Sequence, residues 1–286
     1  LFEFLDAVGH NTLLRNALLT GILASISAGI IGSYIVTRRI TAIVGGIAHF
    51  ILGGMGVARY LQVVHGYQSF HPLYGAIVAA LVAAVIISLV TLRIKEREDT
   101  IIAALWAVGM GVGLFFITRT PGYSVDLMSY LFGNILLVTT RHIWLIICLD
   151  VLVVSVTLIF YNRLQAICFD EEFARLRCVR VELYYIMLLA ITSLTVVLLV
   201  TVVGIVMVIA LLTLPAAISG HFTRSLTGMM GLSILLSMIF TSGGLAFSYQ
   251  TDLPTGATII ILAGIVYFGV LIGSGIVKSV RIKKPV

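Results

Sequence analysis

The chain has 286 residues, of which 60% are hydrophobic and only 10% charged, with a formal net charge of +6. That balance excludes a soluble globular enzyme or binding module and describes a polytopic membrane protein with room for about eight to ten spans. Three cysteines, Cys148, Cys168 and Cys178, are too few and too irregularly spaced for a disulfide framework or a zinc module.

Residues 1–15 read as a short amphipathic lead-in. Acids stand where a cleavable signal would carry basic residues, and the lack of Met at position 1 leads us to expect a trimmed start. Apolar spans are expected at Asn16–Val36, Ile40–Leu61, Leu73–Leu92 and Thr100–Ile117. Asp126–Val138 is apolar but only thirteen residues long, too short to cross a core of about 30 Å as a helix. Ile143–Tyr161 is a full span. The stretch Asn162–Glu182 then interrupts the apolar pattern with Asp170, Glu171 and Glu172, followed by Arg175, Arg177 and Arg180. Its Phe169, Phe173, Leu176 and Val179 recur at three- and four-residue spacing, which makes one stripe of a short helix outside the hydrocarbon. That helix either lies on the membrane surface or is gripped by a soluble partner.

Leu183–Gly220 is nearly unbroken apolar sequence of 38 residues. As one straight helix it would measure about 57 Å, so it must go across and come back. The turn is expected near Thr201–Gly204, with Pro215 breaking the returning limb. Leu226–Phe247 and Ala257–Val277 complete eight or nine crossings before a basic tail, Lys278 to Lys284.

Lys and Arg set the orientation. Arg38, Arg39, Arg93, Lys95, Arg97, Arg163, Arg175, Arg177, Arg180, Arg224 and the four basic residues of the tail fall on one side of this topology. Only Arg15, Arg59, Arg119 and Arg141 fall on the other. The positive-inside rule makes the first side cytoplasmic, the N-terminus external and the C-terminus internal. Arg119 and Arg141 then share the outer side, so the segment between them is a re-entrant or external helix. The basic excess is a topology signal, with no nucleic-acid partner implied. Glycine pairs such as Gly45/Gly46 and Gly53/Gly54/Gly56 fit close helix packing, or broken helices lining a cavity.

No phosphate-binding loop and no hydrolase or kinase signature is present, so any ATP driving this chain is bound by another one. Ionisable residues inside spans are functional candidates. His49 sits mid-span in VGGIAHFILGGMG and is either a hydrogen-bonded core imidazole or a metal or proton ligand on a central path. Asp150, in ICLDVLVV, either bonds a neighbouring helix or serves transport. His65, His71 and His142 fall near the outer mouth, where metal would first arrive. Met55, Met110 and Cys148 read as packing.

Three stretches taken together resemble the permease subunits of the ABC-3 family of prokaryotic zinc, manganese and iron importers. They are FDEEFARLRCV with VGIVMVIALLTLPAAISGHFTRSL, DLMSYLFGNILLV, and SYQTDLPTGATIIIL. GIIGSYIVTRRI and GGIAHFILGGMGVARYL fit the same family, and the similarity runs in order over nearly the whole chain. The resemblance implies one all-α permease domain over residues 1–286 of a prokaryotic inner or plasma membrane, paired as a homodimer. A cytosolic ATP-binding subunit and an external metal-binding protein would serve it. Residues 163–181 would be its cytosolic coupling segment, in which Phe169, Asp170, Glu171, Glu172, Phe173, Ala174, Arg175, Arg177 and Cys178 meet the ATPase. His49 would line the path, with Asp150, His65 and His71 as further metal candidates. The chain would bind no cofactor of its own: the divalent metal is cargo, and ATP sits on the partner. Two departures stand out. Many relatives carry an acid where this chain has Gly45, four residues before the histidine, and a glycine where it has Cys178. A proton-driven secondary transporter using His49 and Asp150, and a permease for a metal chelate such as a siderophore or corrinoid, remain the rival readings.

Overall fold

The computed structural model describes residues 2–67, 70–94, 98–121, 133, 135 and 138–282. All regular structure among them is helical, and nine helices are long and apolar enough to cross a membrane. A short lead-in, α1 (Phe2–His10), is followed by α2 (Thr12–Arg38), whose first turn is capped by Asn11. The Asn11 Oδ1 accepts from the Leu13 N–H at 2.9 Å. Then come α3 (Thr41–Val64), α4 (Pro72–Leu89, running into a wider turn over Val90–Ile94) and α5 (Glu98–Thr118). The rest are α6 (Thr140–Phe169), the one-turn α7 (Glu171–Leu176), α8 (Val181–Val203), α9 (Ile205–Phe222), α10 (Leu226–Thr251) and α11 (Thr255–Ile282).

Two features differ from the expected spans. The fifth span continues past Tyr161 to Phe169: Leu164, Ile167 and Cys168 keep a buried stripe against the bundle while Asn162 and Arg163 are exposed, so the helix persists after the apolar run ends. The long apolar run does split, at Gly204, where φ is 83° and ψ is 164°, backbone that residues with a Cβ rarely adopt. Pro215 does not end the returning limb: α9 runs through it to Phe222. Pro215 lacks the N–H that would bond the Leu211 carbonyl, and α2 closes on this stretch at Gly32, which leaves no room for a Cβ beside the Leu212 carbonyl. The re-entrant segment expected at Asp126–Val138 lies mostly outside the described residues. Gly133, which is described, is in a left-handed conformation against the Val203–Gly204 peptide.

Packing follows the small residues. Gly46 lies against Ile102, Gly53 against Gly109 and Gly56 against Gly113, so α3 and α5 run parallel along a seam whose backbones come together at the glycines. Helix α4 returns antiparallel on the adjacent face of α3, where Gly54 meets Gly75. Helix α2 is central, touching α6, α9 and α10. Its far turns meet Thr241 and Ile135 at Gly21, and its last turns meet Met229, Ile167 and Tyr185. Arg38, Arg163, Arg175, Arg177 and Arg180 thereby gather at one end of the bundle, as the charge count requires.

Candidate functional site

His49 belongs to the α3–α5 seam. It is 6% exposed, and its ring stacks on that of Trp106 with centroids 4.0 Å apart and planes 20° from parallel. Its Nδ1 lies 2.8 Å from the Gly45 carbonyl, one turn back along the same helix. A carbonyl can only accept, so Nδ1 carries the proton and Nε2 keeps the lone pair that would bind a cation. Gly45 itself has space: a Cβ built there would sit 3.5 Å from the Trp106 ring, ordinary contact.

Asp150 is equally buried but lies in another seam. Its Oδ1 accepts from the Ser27 backbone N–H at 3.2 Å, which ties α6 to α2, while Oδ2 has no partner among the described residues. His49 therefore packs between α3 and α5, and Asp150 between α2 and α6. His65 ends α3 and faces Tyr67, ring centroids 6.2 Å apart. His71 caps α4, its Nδ1 accepting from the Leu73 N–H at 3.2 Å. His142 sits inside the first turn of α6 and reaches back to the cap residue, its Nδ1 accepting from the Thr139 N–H at 3.3 Å and lying 2.8 Å from the Thr139 Oγ1. Among the described residues no three His, Cys, Asp or Glu side chains form a group able to hold a metal.

At the basic end the structure divides three consecutive acids among three tasks. Asp170 caps α7, its Oδ1 accepting from the Phe173 N–H at 2.9 Å. Glu171 accepts from Arg38 on one oxygen and from Arg175 on the other, each at 3.0 Å. Burial alone would raise its pKa, but the hydrogen bonds and charges of Arg175 and Arg38 outweigh that and hold the carboxyl below its ordinary range. Glu172 is exposed. Ala174 is fully buried and roots the turn, whereas Phe169, Phe173 and Leu176 are 64%, 50% and 83% exposed. Three large apolar side chains flanked by Arg175 and Arg177, at the charged end of the bundle, form an uncovered face suited to a protein partner. Cys178 closes the segment at φ 57°, a left-handed position where glycine is at ease. Its thiol is exposed and unpaired, as is that of Cys148.

Two participants were not legible from sequence. Trp106 reads there as one more aromatic in an apolar span, and only the α3–α5 seam brings it onto His49. Arg38 counts there only as a charge for topology.

Nine apolar helices among the described residues, with an uncovered apolar turn at the basic end of the bundle, form a framework suited to a transporter's membrane subunit. The chain belongs to the ABC 3 transport family, whose model matches residues 10–274. The "Probable metal transport system membrane protein" of Chlamydia pneumoniae is 40% identical over 244 residues, 85% of this chain and 83% of that one. The "Manganese transport system membrane protein MntC" of Listeria monocytogenes is 30% identical over 266 residues, 93% and 92% of the two chains. The solved structure of PsaBC from Streptococcus pneumoniae in complex with Fab is similar with a TM-score of 0.81, at 28% identity and 94% coverage of each chain.

Proposed function

We propose that this chain forms the membrane pathway of an importer of divalent transition metal, with manganese(II) or zinc(II) as cargo and iron(II) next. One domain spans residues 1–286, with the N-terminus outside and the C-terminus cytoplasmic. A separate cytosolic ATPase grips α7, a second copy of this chain completes the pathway, and an external metal-binding protein delivers the ion. The observation that carries this reading is the docking turn. Its apolar residues Phe169, Phe173 and Leu176 are uncovered while Glu171 and Ala174 are held by the bundle. A surface built this way takes force from a partner and passes it inward. The names of the relatives favour metal, and manganese among metals.

Within the pathway His49 offers Nε2 to the passing ion. With Gly45 in place of an acid, the site lacks the charge that would bind the ion tightly, so affinity rests with the delivering protein and the permease offers a weak way-station. His49 and Asp150 occupy separate seams, which gives a proton relay between them no support.

Proteoliposomes holding the permease, its cognate ATPase and its metal-binding protein test the reading. ATP-dependent uptake of radioactive manganese(II) or zinc(II), resistant to a proton uncoupler, is the expected result. Uptake that persists without the ATPase and collapses with the uncoupler would overturn it.

A further inference from the structure

Arg38 is the last residue of α2, and one side chain there reaches three other helices. Its Nη1 donates to the Ile167 carbonyl in the last turn of α6. Its Nη2 donates to Glu171 Oε2 in the first turn of α7 at 3.0 Å. Its guanidinium lies over the Tyr185 ring of α8, 4.6 Å from the centroid. The side chain is only 13% exposed. The Ile167 carbonyl belongs to the group left without partners when a helix ends, so Arg38 satisfies an orphan acceptor while it grips the docking turn.

The chain beyond Arg38 is equally constrained. Arg39 is left-handed at φ 64°. Its N–H donates to the Val36 carbonyl at 3.1 Å, and the Ile40 N–H donates to the Ile35 carbonyl at 3.0 Å. This closing pattern fixes the angle at which α3 departs at Thr41. His49 lies eight residues further, about 12 Å along α3 at 1.5 Å per residue. The docking turn, Arg38, the α2–α3 corner and His49 thus form one mechanically continuous path. An isolated exposed ion pair would contribute little here. A buried guanidinium fork is different, because two directional bonds and a stacked ring hold register where a greasy contact would slip.

We propose that Arg38 is the positioning residue that passes displacement of α7 to the α2–α3 corner and so to the helix bearing His49. The proposal rests on the reading that an ATPase grips α7. It assigns Arg38 no contact with the ATPase or with the metal.

The test uses the proteoliposomes described above, with manganese(II) uptake and phosphate release recorded together. Arg38→Lys keeps the charge and loses the fork; Arg38→Gln loses both. A third variant joins Arg38→Glu to Glu171→Arg and restores an ion pair in reverse. Both single variants are expected to recover the ATPase in parental yield and to hydrolyse ATP within about twofold of the parent, yet to take up about tenfold less metal per ATP. The reversed pair restores the charge pair but neither the Ile167 bond nor the Tyr185 stack, so it is expected to stay as low as Arg38→Gln, and parental uptake by it overturns the proposal. Parental uptake per ATP in both single variants overturns the proposal. So does a parallel loss of assembly, hydrolysis and uptake in the single variants, for that marks a residue needed only for folding. A parent that takes up neither manganese(II) nor zinc(II) with ATP overturns the functional reading, and the proposal with it.

Discussion

Replacing Gly109 by alanine probes the seam on which the His49 environment depends. A Cβ at Gly109 would fall 3.0 Å from both the His49 carbonyl oxygen and the Phe50 nitrogen, and nearer still to the Phe50 Cα. All three are backbone atoms, so no side chain can swing aside. Comfortable contact is about 3.5 Å or more, and the Phe50 Cα is the limiting neighbour, so α3 and α5 must part by more than about 1 Å. Overpacking of this kind costs about 1–3 kcal/mol. Gly111, two residues on, has nothing within 4 Å of its would-be Cβ. Both changes replace a mid-helix glycine by alanine, so the propensity gain of about 1 kcal/mol is common to both and cancels in the comparison. Gly109→Ala is therefore expected to be less stable than Gly111→Ala by about 1–3 kcal/mol. Thermal unfolding of the two variants in the same detergent measures the difference. Trp106 fluorescence reports whether the stack on His49 loosens, with Trp144 as the second emitter in the chain. Equal midpoints, or a higher one for Gly109→Ala, would refute the seam as described.

Glu172→Arg is expected to weaken capture of the ATPase about two- to fivefold with normal insertion, whereas reversing Glu171 also breaks the bundle's own ion pairs; equal pull-down for Glu172→Arg places the interface elsewhere. Gly45→Asp has steric room beside Trp106 and sets a carboxylate one turn from His49. It is expected to lower the manganese(II) concentration giving half-maximal ATPase stimulation by about tenfold, an effect abolished by adding His49→Ala. The Glu171 carboxyl is depressed in the folded chain, so its contribution is complete above the unfolded value and fades as pH falls through the lowered one. Limited proteolysis at the docking turn should be unchanged through neutral pH and quicken only in acid, while Glu171→Gln is fast throughout. A parent whose cleavage rate stays flat into acid contradicts this.

Much of the fold was legible because hydrocarbon allows few solutions. Apolar length marked the spans, the excess length of Leu183–Gly220 demanded a fold-back, and Gly204 supplies the backbone for it. Boundaries outside the apolar zone were harder to read: nothing in Asn162–Gln165 says whether a helix stops or merely enters water. Pro215 looked like a terminator because its missing N–H is visible in sequence, whereas the neighbouring helix that supports α9 is not. The short helix α7 was legible from its charge and stripe, but the separate roles of its acids were not. Asp170 as cap, Glu171 as anchor and Glu172 as exposed charge differ only in what lies opposite them. The same holds for Trp106 and Arg38, whose partners come from segments remote in sequence.

The length of α6 has a consequence of its own. Its 30 residues make a rod of about 45 Å, roughly half as long again as the hydrocarbon is thick. Its last turns carry the exposed Asn162 and Arg163 with α7 joined to their tip, so the helix can act as a lever pivoting at its far end. A tilt of about 5° about one end sweeps the other through about 4 Å. A small rocking of an intact rod can then carry a large stroke at α7, and no bond within α6 has to break for it.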